Sequence, residues 1–162
     1  MYKIGQSVVH LSHGVGVITG IEEREFSPNK VSKFYIVTIQ DNGAAKKTFV
    51  PFESTENRLR PVMDKKTAKA VLAFISSGTT VLNDLDQTWN RRYREYMELI
   101  HTGNAMLVAQ VYVSLRALQT LKGLSFGERK LLDHAKTMLS KELEAVGLSL
   151  PEVSYVQSKP IL

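Results

Sequence analysis

The segment "KFYIVTIQDNGAAKKTFVPF", residues 33–52, carries the strongest fold signal in the chain. Two runs rich in β-branched and aromatic residues, which favour extended backbone, flank Asp41-Asn42-Gly43. Asn-Gly readily adopts the positive φ angles that both central positions of a tight hairpin turn require. The segment therefore predicts two antiparallel strands joined by a short turn.

Further strand candidates precede this hairpin. The runs "SVVHL" (7–11) and "VGVITGIEER" (15–24) have the same composition, and Ser27-Pro28-Asn29 marks a turn before the hairpin. Four or five short strands within about 60 residues predict a small, strongly bent sheet or barrel.

The pattern becomes helical after Pro61, with apolar residues recurring at intervals of three and four. Strands followed by a block of helices predict an α+β chain with two segregated domains and a boundary near residues 60–65. We predict a β-rich domain at 1–62, a helical domain at 63–148 and a loosely structured tail at 149–162. The helical signals are the stripe Ala68, Val71, Leu72 and Ile75 before Gly78; the segment 89–101; the segment from Asn104 to Gly123; and the segment from the capping box Ser125-x-x-Glu128 to Gly147.

Composition indicates a folded protein with an anionic partner. The chain has 162 residues and a formal net charge of +5, and its pI is about 9.4. A basic balance favours nucleic acid first and an acidic protein surface second. Apolar runs of the roughly 20 residues that a membrane helix needs, an N-terminal signal-peptide pattern and cysteines are all missing from the sequence, so we expect a cytoplasmic protein without membrane contact.

The usual sequence signatures of enzymes and metal sites are weak here. Gly14-x-Gly16 runs into strand-like residues, whereas a dinucleotide-binding loop must open onto a helix. His10 and His13 form only a pair, and a catalytic zinc normally needs three protein ligands. We therefore predict no enzyme activity, metal, cofactor or small-molecule substrate.

The stretch "TWNRRYREYM", residues 88–97, combines the only tryptophan, Trp89, with three arginines. On a helix, Tyr93, Tyr96, Met97 and Ile100 would share a core-facing stripe, while the arginines would lie on faces that reach solvent. In one interpretation Trp89 packs on Tyr93 and the arginines are simply solvated. In the other, an exposed indole stacks on nucleic-acid bases while the arginines bind phosphates. The residues alone leave both interpretations open.

Four stretches together resemble the CarD family of bacterial transcription regulators, over nearly the whole chain. They are "YKIGQSVVHLSHGVGVITGIEER" (2–24), "KKTFVPFE" (46–53), "WNRRYREYMELIHTGN" (89–104) and "LSFGERKLLDHAKTMLSKEL" (124–143). The last two are highly specific in combination. The β half is less specific, because a similar module occurs in the transcription-repair coupling factor.

The resemblance implies a Tudor-like N-terminal barrel that docks on the β subunit of RNA polymerase, partly by pairing sheet edges. Arg24 matches a polymerase-contacting arginine. The family's second basic contact has no direct match, because Phe49 occupies that place before Val50 and Pro51; Lys47 should point to the same face as Phe49.

The resemblance also implies that the helical domain contacts promoter DNA at the upstream edge of the transcription bubble. Trp89 would act as a minor-groove wedge at the junction of double and single strands, so the resemblance favours an exposed indole. The implied backbone contacts are Arg91, Arg92, Arg94, Arg129 and Lys130. The expected function is a non-enzymatic, polymerase-associated regulator that stabilises the open promoter complex; the alternatives are a stand-alone nucleic-acid-binding module or a protein-interaction adaptor.

Overall fold

The computed structural model describes residues 1–41, 43–77 and 88–152. The chain forms two compact units, Met1–Val62 and Met63–Leu162, and each has its own buried apolar core. The predicted turn residue Asn42, the predicted helix end at Gly78 and residues 153–162 of the predicted tail lie outside the described residues.

The first unit, here called the β unit, is a five-stranded antiparallel sheet. Its strands follow the order β4-β3-β2-β1-β5, with a 3-10 helix at Phe52–Asn57 between β4 and β5. A sheet followed by helices confirms the predicted α+β class. Two strands are longer than the predicted short strands, since β2 has 14 residues and β3 has 12. The strands are β1 (Ser7–His10), β2 (Gly14–Ser27), β3 (Lys30–Asp41), β4 (Ala44–Pro51) and β5 (Leu59–Pro61).

Two-residue hairpins join β2 to β3 and β3 to β4, as their registers pair Ser27 with Lys30 and Asp41 with Ala44. Asn29 has a φ of 72° and Gly43 a φ of 81°, the left-handed conformation that Asn and Gly adopt most readily. The hairpin predicted at residues 41–43 and the turn predicted at residues 27–29 are therefore confirmed.

The glycines near the N-terminus serve strand packing. Gly16 lies on β2, close to a side chain of β3. A Cβ atom on Gly16 would lie 2.6 Å from Cγ1 of Val37, so a larger residue does not fit at this position. The register between β2 and β3 shifts between Ile18 and Gly20, which marks a bulge. These glycines therefore lie within a strand, as predicted, and not in a loop that opens a helix.

The second unit, here called the helical unit, contains α1 (Lys65–Ser76), α2 (Trp89–His101), α3 (Ala105–Lys122) and α4 (Phe126–Ala145). The predicted caps are confirmed, because Asn104 accepts hydrogen bonds from the backbone N–H groups of Met106 and Leu107, and Ser125 accepts one from Glu128. Ten residues of α3 are buried, and α3 contacts each of the other three helices. It is therefore the centre of this core.

The segments that flank the four helices, at Met63 and at residues 147–150, are fixed onto the helical unit. The backbone N–H of Met63 donates to Oε1 of the buried Glu142 at 2.9 Å. After α4, Gly147 adopts a φ of 79° and the N–H of Leu148 donates to the carbonyl of Leu143 at 2.9 Å, a Schellman turn. This turn directs the chain back so that Leu150 packs against the core. The tail predicted to be loose from residue 149 is thus packed at Leu150.

Among the described residues, no helix has both the length and the apolar character to cross a membrane.

Candidate functional site

Trp89 is the first residue of α2, and its indole is partly exposed. The ring packs against the helical core and meets the ring of Tyr93 edge-on, with centroids 5.2 Å apart and planes at 62°. The indole therefore combines features of both interpretations of the sequence. It packs on Tyr93, and it keeps some contact with solvent, but it does not project freely from the domain as the resemblance implied.

Gly127, in the first turn of α4, borders the indole. A Cβ atom at this position would lie 2.8 Å from Cζ2 and 3.4 Å from Cη2 of Trp89. A contact of 2.8 Å between carbon atoms is well inside their optimal separation of about 3.5–4.0 Å. Any side chain larger than hydrogen would therefore displace the ring.

Arg92 corrects a sequence prediction, because it is buried and does not reach solvent. Only 6% of its surface is exposed, and its Nη2 lies 3.6 Å from Oε2 of Glu128, which is equally buried. Its Cζ lies 5.9 Å from the centroid of the Trp89 ring. Arg92 faces inward because it follows Trp89 by three residues, which places both on one side of α2, and because α4 supplies the opposite charge.

The core-facing stripe of α2 is consequently rotated from its predicted position. Ile100 is buried, and Tyr96 and Met97 pack against the core as predicted. Tyr93, predicted to share this stripe, is 39% exposed. Arg92 takes up part of the inward face that the sequence pattern had assigned to Tyr93.

Glu128 joins the cap of α4 to the buried arginine. Oγ of Ser125 accepts a hydrogen bond from the backbone N–H of Glu128 at 3.3 Å and donates one to Oε1 of Glu128 at 2.9 Å. In a standard capping box the glutamate would instead accept from the serine backbone N–H. Nε of Arg92 and Oε2 of Glu128 are buried and make no hydrogen bond within the described part of the chain. The pair is therefore held by charge attraction at 3.6 Å rather than by good hydrogen-bond geometry.

The other predicted DNA-contacting cations are exposed on the two helices that this ion pair links. On α2, Arg91 forms an ion pair with Glu95 at 3.4 Å. Arg94, on the same helix, has no side-chain partner among the described residues. On α4, Nζ of Lys130 lies 4.6 Å from the ring centroid of Phe126, which is 67% exposed. The fifth cation, Arg129, is likewise exposed.

Phe126, Gly127 and Glu128 are site residues that sequence reasoning missed. The sequence pattern that contains them, Ser125-x-x-Glu128, predicts only a helix cap. A cap pattern concerns one helix and contains no information about Trp89 or Arg92 on another.

The predicted polymerase-binding residues of the β unit form a second surface. Cζ of Arg24 lies 4.1 Å from the ring centroid of Phe49, and Nε and Nη2 of Arg24 donate to Oε2 of Glu22 at 3.2 and 3.1 Å. Lys47 and Phe49 are both exposed and lie two residues apart on β4, so the alternation of side chains along the strand places them on one face. Within the described residues β4 pairs only with β3, which makes it an edge strand.

Val50 is the exception on this surface. Its side chain is 0% exposed and belongs to the core of the β unit, because side chains alternate along β4 and its neighbours Phe49 and Pro51 point away from the core. The side chain of Val50 is therefore not available to a partner. Pro51 is partly buried.

The rings of His10 and His13 lie next to each other, with centroids 4.6 Å apart and planes tilted by 31°. His10 is buried, and its Nδ1 accepts a hydrogen bond from the backbone N–H of Ser12 at 3.2 Å. Burial, followed by the nearby charges of His13, Arg58 and Lys46, lowers the pKa of His10 to about 4. The described residues contain no group of three or more side chains that is suited to holding a metal ion.

Comparison with known proteins identifies both units. Residues 2–63 match the family model for the CarD-like/TRCF RID domain, and residues 70–152 match that for the CarD C-terminal domain. A Bacillus subtilis (strain 168) protein named "Putative transcription factor YdeB" is 29% identical over 147 residues, which cover 90% of this chain and 92% of that relative. The CarD family is a family of transcription factors. The chain belongs to the CarD family and is a transcription regulator of the CarD type.

Proposed function

We propose that this protein binds the β subunit of RNA polymerase through its β unit and stabilises the open promoter complex through its helical unit. The observation that carries the proposal is the partly exposed indole of Trp89. The indole lies on the same helix, α2, as two exposed arginines, and it contacts α4, which carries two further exposed cations. The contact would lie at the upstream edge of the transcription bubble.

The chemistry of this surface fits a DNA fork. Arginine and lysine side chains bind phosphates and fix the position of a protein on the backbone, and an aromatic ring contacts bases that have lost their stacking partner. The proposed DNA-contacting residues are Trp89, Arg91, Arg94, Arg129 and Lys130. Arg92 leaves this set, because its guanidinium is buried against Glu128.

A wedge of this kind acts by preferring one state of the promoter. The indole finds unstacked bases only where the strands have separated, so it binds the open state better than the closed state. It shifts the opening equilibrium by that difference in affinity and by no more. A difference of about 1.4 kcal/mol changes the equilibrium constant tenfold, so one small contact suffices.

The β unit would hold the helical unit near the DNA. Its edge strand β4 has unpaired backbone groups to offer to a strand of the polymerase, while Arg24, Lys47, Phe49 and Pro51 would supply side-chain contacts. Docking through one unit raises the effective concentration of the other, so the helical unit needs only weak affinity for DNA by itself.

The central experiment replaces Trp89 with alanine. We expect a shorter lifetime of the open complex on a competitor-challenged promoter, with polymerase binding unchanged, because only the fork contact is removed. Leu121→Ala is a matched control, since Leu121 is an apolar residue of the same unit that is 38% exposed. A wild-type lifetime for Trp89→Ala would refute the fork contact.

A charge reversal tests the polymerase surface. Arg24→Glu should weaken binding to the polymerase β subunit in a pull-down, because it removes a cation and creates repulsion with Glu22. Lys33→Glu is the control, since Lys33 is also exposed and ion-paired, with Glu23 at 3.5 Å. Normal binding by Arg24→Glu would place the docking surface elsewhere. Tight, salt-sensitive binding to free duplex in the absence of polymerase would instead favour a stand-alone nucleic-acid-binding module.

A further inference from the structure

We propose that Arg92, Glu128 and Gly127 form a seat that holds the Trp89 indole in the orientation needed for DNA contact. We call these three residues the indole seat. The inference rests on the proposed function, because it assigns positioning roles to residues around the proposed wedge. It extends that function by assigning a positioning role to Arg92, which was predicted to contact the DNA backbone, and to Glu128 and Gly127, which were predicted only as parts of a helix.

The first part of the seat is the space left by a missing side chain. Gly127 lies inside α4, with no strained backbone angle that would call for glycine. Glycine is in general a poorer helix former than alanine. What this position does require is room, because the edge of the indole occupies the place of a Cβ atom at 2.8 Å. Glycine here therefore serves the ring and not the helix.

The second part is the buried ion pair between α2 and α4. Arg92 and Glu128 have side-chain exposures of only 7% and 8%, yet their closest atoms are 3.6 Å apart and one nitrogen and one oxygen lack hydrogen bonds among the described residues. Removing two charges from water without full compensation makes such a pair a poor source of stability. Its geometric effect is clear, because it fixes the first turn of α2, which carries Trp89, to the first turn of α4, which carries Gly127.

The remaining contacts complete the orientation of the ring. Tyr93 meets the indole edge-on, and the guanidinium carbon of Arg92 lies 5.9 Å from the ring centroid. A ring fixed on several sides loses little conformational freedom when it binds a partner. Such preorganisation strengthens binding without adding any contact.

Gly127→Ala is the decisive variant, because it fills the seat without removing any interacting group. Alanine suits a helix better than glycine, so we expect the helical unit to keep its unfolding midpoint. The added methyl group should push the indole outward. Trp89 is the only tryptophan, so the displacement is read directly as a red-shifted and more readily quenched fluorescence emission. The open-complex lifetime should fall severalfold.

Two companion variants accompany Gly127→Ala: one is a control for general damage, and the other tests the buried ion pair. Thr137→Ala adds no bulk at an exposed site of the same helix and should leave emission and lifetime unchanged. Glu128→Gln keeps an oxygen that accepts from the Ser125 hydroxyl but removes the charge opposite Arg92. We expect it to alter quenching of Trp89 and to shorten the lifetime, with the cap of α4 retained. Because it leaves the charge of Arg92 buried without a partner, it should also lower the unfolding midpoint.

A double substitution gives the sharpest test. In a Trp89→Ala background, Gly127→Ala should have no further effect on the lifetime, because the seat acts only through the ring. An additional loss in that background would overturn the inference, as would a Gly127→Ala protein whose emission and lifetime both match the wild type. A shortened lifetime without any change in emission would overturn it as well. An unchanged lifetime for Trp89→Ala alone would refute the proposed function itself, which keeps the two failures distinguishable.

Discussion

Arg24 in the β unit and Arg92 in the helical unit have the same kinds of neighbouring residue but differ in their exposure to solvent. Each lies beside an aromatic ring and a carboxylate, Phe49 and Glu22 for Arg24 and Trp89 and Glu128 for Arg92. The side chain of Arg24 is 52% exposed, whereas that of Arg92 is 7% exposed. Solvent, rather than the identity of the neighbours, decides whether an arginine can offer its charge to a partner.

The energetics of the two arginines should differ accordingly. An exposed ion pair contributes about 0–1 kcal/mol, because water screens it and both side chains lose freedom. A buried pair contributes little net stability when intact, but removing one partner leaves the other charge buried without compensation. Arg24 is therefore replaceable as far as folding is concerned, whereas Arg92 is not.

The largest effect is expected for Arg92→Ala. Loss of the guanidinium should reduce the free energy of unfolding of the helical unit by about 3–5 kcal/mol, because Glu128 remains buried alone. Urea denaturation followed by Trp89 fluorescence reports this unit. The double variant Arg92→Met with Glu128→Gln should recover part of the loss, since no uncompensated charge remains. A loss below about 1 kcal/mol for Arg92→Ala would contradict this prediction, because it would show that the buried ion pair matters no more for stability than the exposed pair of Arg24.

A second, smaller effect concerns the buried polar group of the β unit. His10 has a pKa of about 4 in the folded protein, below its ordinary value of 6.5, so between these values the unfolded chain binds more protons. The stability of the β unit should be complete above pH 6.5 and fall as the pH approaches 4, by up to roughly 3 kcal/mol.

Amide hydrogen exchange of β-unit residues across this pH range measures the loss, and NMR titration of the His10 ring measures its pKa. His10→Asn should flatten the dependence, while His101→Asn, at an exposed site on α2, should leave it unchanged. If His10 titrated near its ordinary pKa, the argument from burial would fail. The helical unit should show no matching loss that depends on His10.

The smallest effect is expected for Arg24→Ala. Its hydrogen bonds to Glu22 and its stacking on Phe49 are exposed, so the free energy of unfolding should change by less than about 1 kcal/mol. Polymerase binding should nevertheless weaken. Thermal unfolding and a pull-down on the same preparation provide the comparison, and a large loss of stability would show that Arg24 supports the fold.

Local chemistry explains which features the sequence predicted. The turns at Asn29 and Gly43 and the caps at Asn104 and Ser125 depend on residues adjacent in the chain. The burial of Arg92 depends on Glu128 in another helix, and no periodicity rule assigns an arginine to a core face. The room beside Gly127 likewise arises only when α2 and α4 pack together.

The hydrogen bond between Met63 and Glu142 has a consequence for protein synthesis. It joins residues 79 positions apart, the first residue of the helical unit and one near the end of α4. A growing chain cannot close this bond until Glu142 has left the ribosome, so the helical unit completes its native structure only after α4 has been made. The β unit, whose pairings end at Pro61, meets no such delay.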